Sequence, residues 1–289
     1  MLLFITLTII SCKKENDFVA SQRTDAAQKL KTQRESLLTS VERKLDSGTK
    51  TITYTQLEVS YDSGRVSGMV NFAFGDGSVR FVKLYEYDKL GRLTRTTVKN
   101  EGVISYTYND AGQVVGAVFV HQNDASKNYR LVYSRNSNDA TVIEDRFDSF
   151  RFGVERIMYK FYPDGTYKSI EKFDPQKEMM LKAKMILHNN YEPKQLAAWK
   201  ETVAKFPEPI PPMPVITMLS TRTEMFADSN YCCDDVIVDG RVITAESVEL
   251  NARGQTIRIR IATTNNSGMM NAAARPMEIL TMNYSKAEW

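Results

Sequence analysis

A five-residue unit that occurs twice constrains the fold of this chain most. Tyr87-Asp88-Lys89-Leu90-Gly91 is followed 21 residues later by Tyr108-Asn109-Asp110-Ala111-Gly112. In each copy, strand-forming residues flank an Asp or Asn and a closing Gly, which is typical of a tight hairpin with a left-handed Gly. The unit therefore predicts positive φ at Gly91 and Gly112, with an antiparallel hairpin around each.

Similar turns occur far from this pair. Phe161-Tyr162-Pro163-Asp164-Gly165 keeps the spacing from aromatic residue to Gly, and Leu250-Asn251-Ala252-Arg253-Gly254 repeats the second copy closely. Gly165 and Gly254 are thus two further predicted turn glycines. Hairpins repeated at short intervals predict a mainly β fold, an antiparallel meander.

Short runs of β-branched and aromatic residues between the turns predict the individual strands. The strands predicted in the first part are 51–61, 65–74, 78–88, 92–99, 103–109, 113–121, 128–134, 140–147, 154–162 and 166–173. Several have apolar residues on both faces, such as Phe81 against Val82 and Leu84, which predicts a sheet covered on both sides. Residues 256–262 alternate Ile and Arg, which predicts a strand with one solvated face.

The segments YEYDKLGRLT and YTYNDAGQVV resemble the YD repeats of the RHS family. They are also similar to the β-rich domains of surface lipoproteins of Bacteroidetes-type bacteria. The second copy has Asn109 where the family has Asp. The resemblance implies a β-rich architecture and does not specify a ligand.

The N-terminus resembles a lipoprotein signal. Residues 1–11 are apolar and uncharged, and the run Ile9-Ile10-Ser11-Cys12 looks like a lipobox followed by charged residues. This pattern predicts a signal peptide over 1–11, lipid attachment at Cys12 and a tether over 12–23. The expected location is the outer membrane, on its periplasmic or cell-surface side. The alternative is a buried N-terminal strand with a core Cys.

Two segments have helical patterns. Residues 24–46 have an apolar stripe near 3.6 periodicity, which predicts a helix that packs on the sheet or forms a stalk. Asp174-Pro175 predicts a helix start, and Pro193 predicts a second, giving a helical insertion over 175–206. The Pro-rich residues 207–214 predict an extended polyproline II segment, either a stiff crossover or a ligand for aromatic grooves. The β-rich body thus covers 50–289, with a helical and Pro-rich insertion over 175–214.

Composition excludes several classes of function. A net charge of +3 is too small to indicate nucleic-acid binding, and three Cys give no disulfide framework. His121 and His188 lack partners at ligand or triad spacing, so no catalytic set, cofactor or metal site is predicted.

Residues 228–239 allow two readings of one acidic segment. Cys232-Cys233 forms either a vicinal disulfide or two adjacent thiols on opposite faces of a strand. The four aspartates around it, Asp228, Asp234, Asp235 and Asp239, either bind Ca²⁺ or are solvated loop residues.

Four tyrosines are the candidate binding residues: Tyr85, Tyr87, Tyr106 and Tyr108. Rings at positions i and i+2 share one face of a strand, where they bind sugars or a partner, or pack across strands. The leading hypothesis is a non-enzymatic, lipid-anchored envelope protein that binds a glycan or a protein. The alternatives are a structural or assembly role in the envelope, or an envelope hydrolase.

Overall fold

A computed structural model describes residues 37–46, 51–73, 78–136, 140–227, 241–265 and 277–285. The described strands form one closed antiparallel barrel of sixteen strands. The predicted mainly β, antiparallel fold is confirmed. Cys12 lies outside the described residues, and so do Cys232, Cys233 and the four aspartates around that pair.

Strands that follow one another in the described chain are neighbours in the barrel. The strands are β1 Leu37–Asp46, β2 Thr51–Asp62, β3 Arg65–Phe72, β4 Val79–Tyr87, β5 Leu93–Val98, β6 Gly102–Tyr108, β7 Val114–His121, β8 Tyr129–Asn136, β9 Thr141–Asp148, β10 Gly153–Phe161, β11 Tyr167–Asp174, β12 Met180–Asn189, β13 Ser220–Ala227, β14 Arg241–Leu250, β15 Thr256–Asn265 and β16 Met277–Ser285. Two α-helices, α1 Pro193–Val203 and α2 Met213–Ile216, lie between β12 and β13, and 3₁₀ turns cover Ala125–Lys127 and Thr217–Leu219.

The first and last strands close the barrel. Thr39 Oγ1 donates to the carbonyl of Asn283 at 3.0 Å, and Asn283 Nδ2 donates to Ser40 Oγ at 3.0 Å. The barrel belongs to the compact unit Thr39–Asn283. A second unit consists of Met1–Leu38 and Tyr284–Trp289, of which the structure describes the outermost residues of β1 and β16.

Alternation along the strands separates an inward from an outward face. On β15, Ile259 and Ile261 are buried, whereas Arg258 and Arg260 are exposed, as the sequence pattern predicts. On β4, Tyr85 is buried and Leu84 is 52% exposed. The second face of β4, which was expected to be covered by helices or another sheet, is not covered by any other described residue at Leu84.

Two predicted helices are strands. Residues 37–46 of the predicted helix 24–46 form β1, and residues 24–36 lie outside the described residues. Residues 180–189 of the predicted insertion form β12, which pairs Met185 with Ile170 on β11 and with Met225 on β13. Pairing on both sides satisfies the strand's backbone groups, and this outweighs the helical spacing of its apolar residues. The helix predicted to begin at Pro193 is present, as Pro193–Val203, with Pro in its first turn.

The segment between β12 and β13, residues 190–219, lies inside the barrel and contacts the inner face of its wall. Its Trp199 ring packs edge-on against Tyr167 of β11, and Gln195 Nε2 donates to Thr256 Oγ1 of β15 at 3.2 Å. Its Glu208 accepts from Lys83 Nζ of β4 at 2.7 Å. Because β4, β11 and β15 are well separated around the barrel, a segment that contacts all three occupies the interior.

Candidate functional site

The repeated turn has the same hydrogen bonds in both copies. The Asp88 N–H donates to the Arg92 carbonyl and the Gly91 N–H to the Asp88 carbonyl, both at 2.9 Å. Asn109 bonds in the same way to Gln113 and Gly112, at 3.0 and 2.9 Å. The Asp88 and Asn109 side chains also accept from backbone N–H groups of their own turns. Gly91 and Gly112 have φ of +80° and +74°, a conformation that a Cβ would strain.

Three more turns close in the same pattern, from Tyr162 to Thr166, from Asn251 to Gln255 and from Asp148 to Phe152. The first two contain the predicted turn glycines Gly165 and Gly254, both with positive φ. The third was not predicted, because Arg151 occupies the Gly position, with φ of +69°. Asp148, whose side chain accepts from two backbone N–H groups of its turn, was the available signal.

Tyr87 and Tyr108 connect neighbouring strands through their hydroxyls. The Tyr87 hydroxyl donates to the Val66 carbonyl on β3 at 2.5 Å, and the Tyr108 hydroxyl to the Leu93 carbonyl on β5 at 2.7 Å. The tyrosine of each repeat therefore secures its own strand to the preceding one. Ligand binding through these rings stays a prediction.

Tyr85 and Tyr106 face the interior. Tyr85 is 7% exposed, and the Tyr106 hydroxyl lies 3.1 Å from Thr96 Oγ1. Burial raises the pKa of both phenols, and the negative charge of Glu208 raises it further. The structure therefore brings these two tyrosines together around Glu208.

Glu208 fixes the Pro-rich stretch to the wall. Its ion pair with Lys83 has both side chains largely buried, at 14% and 20% exposed. The pKa of Tyr87 is raised to about 12, by burial first and also by Glu208. Of the two readings of residues 207–214, the contact with β4 fits a crossover through the interior.

Glu144 is a partly buried carboxyl on β9 that lies opposite Tyr133 of β8 in the strand pairing. Burial raises its pKa, the Tyr133 hydrogen bond opposes that rise, and Glu155 adds to it. A raised carboxyl pKa stabilises the fold below the unfolded-state pKa, and this stability is lost as pH rises through the folded-state pKa. The charged form of Glu144 therefore costs stability at neutral pH.

We predict that Glu144→Gln stabilises the protein at pH 8 and has little effect near pH 4. The amide oxygen still accepts the Tyr133 hydroxyl, but no buried charge forms. The expected result is a higher urea midpoint than that of wild type at pH 8, because the raised pKa makes the charged form of Glu144 cost stability there. Urea unfolding at a series of pH values measures it. Glu86→Gln on the outer wall is the control, and parallel pH profiles for wild type and Glu144→Gln would contradict the prediction.

A cleft of about 490 Å³ opens at the end of the barrel where the repeated turns lie. Its lining includes four cationic and two aromatic side chains, namely Arg65, Arg92, Arg135, Lys205, Tyr87 and Tyr108. Arg92 pairs with Asp88 at 2.8 Å, and Arg135 Nη1 donates to the Val114 carbonyl at 3.0 Å. Sequence reasoning found the two tyrosines and missed the cations. The available signal was an Arg directly after the turn glycines Gly64 and Gly91.

The described residues contain no group of three or more His, Cys, Asp or Glu side chains that could hold a metal ion. His188 lies 3.1 Å from Glu224 Oε1 on the outer wall, and His121 Nδ1 accepts from the Asn123 N–H at 3.2 Å. Among the helices within these ranges, none has the length and apolarity needed to cross a membrane.

Comparison with known proteins finds likenesses at the level of structure. No protein-family model matches the chain, and no curated protein matches its sequence. A porin-like protein from Bacteroides uniformis ATCC 8492 matches 87% of this chain and 98% of its own, with 11% identity and a TM-score of 0.48. A porin-like protein from Bacteroides vulgatus ATCC 8482 matches 86% of this chain and 99% of its own, with 9% identity and a TM-score of 0.43.

A third solved structure, TcdB2-TccC3-TEV, matches 72% of this chain and 15% of its own, with 11% identity and a TM-score of 0.24. At these identities and TM-scores the likenesses carry no argument about function. The similarity to YD repeats therefore rests on the segments YEYDKLGRLT and YTYNDAGQVV alone. The lipid anchor stays a prediction.

Proposed function

We propose that this chain is a lipid-anchored, non-catalytic binding protein of the outer membrane, with its barrel in water and its ligand site in the basic cleft. The ligand is a glycan or an envelope protein. The lipobox-like run that ends at Cys12 supports the anchor. The main support for a barrel in water is the charge pattern of its outer wall.

Ion pairs join neighbouring strands on the outward face. Glu86 lies opposite Arg95, with Oε1 3.8 Å from Nε and side chains 57% and 49% exposed. Asp145 lies opposite Arg156 and accepts two hydrogen bonds from it, at 2.5 and 2.9 Å. Further outward pairs are Lys184–Glu171, Arg258–Glu249 and Arg260–Glu246. The described wall is therefore charged on several sides.

A wall embedded in lipid would have the opposite character. Membrane barrels present an outward apolar band about 25 Å tall, and an Arg or Lys on that face costs about 2–4 kcal/mol at the bilayer midplane. Outward cations on β5, β10, β12 and β15 would add several such costs. Water is the less costly surrounding for this wall, and a lipid on Cys12 would supply the attachment.

The interior also differs from that of an open channel. Inward tyrosines and residues 190–219 occupy it, and its charges are paired, as in Lys83–Glu208 and Lys172–Glu155. A polar lumen open to ions would instead keep charged side chains in water. The interior is therefore better suited to support a rigid binding protein than to conduct solutes.

The absence of catalysis is part of the proposal. The cleft lining contains no Asp, Glu, His, Cys or Ser, so it lacks the usual nucleophiles and general bases. The interior carboxylates Glu144, Glu155 and Glu208 are each engaged, with Tyr133, Lys172 and Lys83 respectively. These contacts favour binding over hydrolysis.

We predict that Cys12→Ser moves the protein from the membrane to the soluble fraction. Cells with an outer membrane that express the full chain would be fractionated, and the membranes washed with alkaline carbonate. The matched control is the double substitution Cys232→Ser and Cys233→Ser, which leaves Cys12 intact and should stay in the membrane. Retention of Cys12→Ser after the wash would show that the barrel itself inserts, contrary to the proposal.

A further inference from the structure

We infer that the cleft binds an acidic glycan, a sugar chain that bears carboxylate or sulfate groups. The inference rests on the proposed function in one respect: it takes the cleft as the ligand site. It does not depend on the lipid anchor, because the residues that line the cleft all lie within the unit Thr39–Asn283.

The cleft has an excess of positive charge. Arg65, Arg135 and Lys205 form no salt bridge to a carboxylate within the described ranges, whereas Arg92 is balanced by Asp88. No acidic side chain lines the cleft. Cations gathered in a concave site with low-dielectric walls focus a positive potential, which attracts anions. A neutral sugar would not neutralise this positive charge, whereas an acidic sugar would.

The guanidinium groups are held in place before any ligand arrives. The Arg65 guanidinium lies 5.8 Å from the Tyr87 ring centre, and that of Arg92 lies 5.0 Å from the Tyr108 ring centre. A Cβ on Gly91 would be 2.7 Å from Arg65 Nη2, so the Gly gives this guanidinium its room. A fixed planar guanidinium matches a carboxylate or sulfate with two parallel hydrogen bonds.

The tyrosines therefore serve the site by supporting arginines. Their hydroxyls are bonded to carbonyls of neighbouring strands, which fixes the rings on which the guanidinium groups rest. This gives the repeated Tyr and the Arg after the turn Gly a joint role. The Asp of the repeat does not oppose the binding of an anion, because the Asp88 carboxylate accepts hydrogen bonds within its own turn.

The closed wall favours a glycan over a peptide. Extended peptides commonly bind by adding a strand to a free sheet edge, and this barrel pairs its first and last strands. The cleft volume of about 490 Å³ lies within the usual range for small-ligand sites, about 300–1,000 Å³, and suits one or two sugar rings. Gln113, Gly64 and Gly112 also line the cleft and add polar groups to it.

Calorimetric titration of the full chain carrying Cys12→Ser tests the inference. The probes are a galacturonic-acid oligosaccharide, a sulfated glucose oligosaccharide, an uncharged glucose oligosaccharide of equal length and an oligoglutamate peptide of equal charge. We expect binding of one or both acidic sugars, weakening as salt rises from about 50 to 500 mM because exposed charges are screened. We expect no heat from the uncharged sugar and weaker binding of the peptide.

Substitutions locate the binding. Arg65→Ala with Lys205→Ala should weaken acidic-sugar binding at least about tenfold, and Arg65→Lys should weaken it less, since Lys keeps the charge but not the planar fork. Arg95→Ala on the outer wall is the matched control and should leave binding unchanged. A thermal melt of each variant checks that it is folded, and Lys205→Ala alone serves if Arg65→Ala does not fold.

Each other outcome overturns the inference in a distinct way. Peptide binding as tight as that of the sugars would assign the cleft to acidic protein segments. Equal binding of the uncharged sugar would remove the role of charge, and unchanged binding in the cleft variants would place the site elsewhere. Absence of binding by all four probes would reject the cleft as a glycan site, while the Cys12→Ser fractionation would still decide the anchor separately.

Discussion

Trp199→Ala should lower the free energy of unfolding by about 3–5 kcal/mol, the usual cost of removing a buried Trp. Trp199 on α1 is 6% exposed, and its indole Nε1 donates to the Val215 carbonyl at 2.8 Å. Its ring also packs edge-on against Tyr167 of the wall, with centres 6.4 Å apart. The substitution removes the ring contact between the segment and the wall and the indole hydrogen bond to the Val215 carbonyl. The urea midpoint at unchanged slope measures the loss.

Two variants on the same helix separate the causes. Trp199→Phe keeps an aromatic ring against Tyr167 and loses the hydrogen bond, for an expected cost of about 1–2 kcal/mol. Glu201→Ala removes an exposed side chain and should change stability by less than about 0.5 kcal/mol. A loss below about 1 kcal/mol for Trp199→Ala would mean that residues 190–219 are not part of the core.

The importance of Trp199 is connected with the number of strands in the barrel, because that number sets the space that the inner segment fills. Barrels of 16 to 18 strands ordinarily leave a wide lumen, because diameter grows with strand number. Here the chain fills that space with its own residues 190–219 and with inward tyrosines. Pairing then lowers the cost of placing charged groups in the interior, as for Lys83 with Glu208, because an unpaired buried charge is costly. The inner segment thus fills space that a barrel of sixteen strands would otherwise leave open.

The strands from β2 to β11 were predictable because their signals are local. The predicted strand 78–88 is Val79–Tyr87, and the predicted strand 140–147 is Thr141–Asp148. Each lies between turns whose Asp or Asn bonds to its own turn, and alternation fixes which residues face inward. The predicted turns at Gly91 and Gly112 needed no information from distant residues.

Barrel closure and the cleft were not predictable, because each depends on distant residues. Thr39 bonds to Asn283 across 244 positions, and no local pattern indicates such a pairing. The apolar residues of 37–46 fit a helical stripe as well as a strand, and the neighbouring strands decide between them. The cleft cations Arg65, Arg135 and Lys205 come from three separate parts of the chain, so only the closed barrel makes them neighbours.

Gly102→Ala should be almost as damaging as loss of the Trp, because the strand pair β6–β7 has no room for a side chain there. A Cβ on Gly102 would lie 2.1 Å from the Val120 carbonyl oxygen and 2.9 Å from His121 Cα. Both are backbone atoms of the paired strand, so relief requires a shift of the ladder that joins Gly102 to His121. We expect a loss of about 3 kcal/mol, at the upper end for overpacking of a well-packed site.

Two other glycines provide the comparison. A Cβ on Gly116 of β7 would be 3.3 Å from the Leu131 carbonyl oxygen, so Gly116→Ala needs only a small adjustment and should cost less than about 1 kcal/mol. Gly112 has positive φ and nothing within 4 Å of a Cβ, so Gly112→Ala should cost about 1 kcal/mol of backbone strain alone. The order Gly102, then Gly112 and Gly116, separates steric contact from backbone strain. If the three variants had equal urea midpoints, the close approach of β6 and β7 at Gly102 would be wrong.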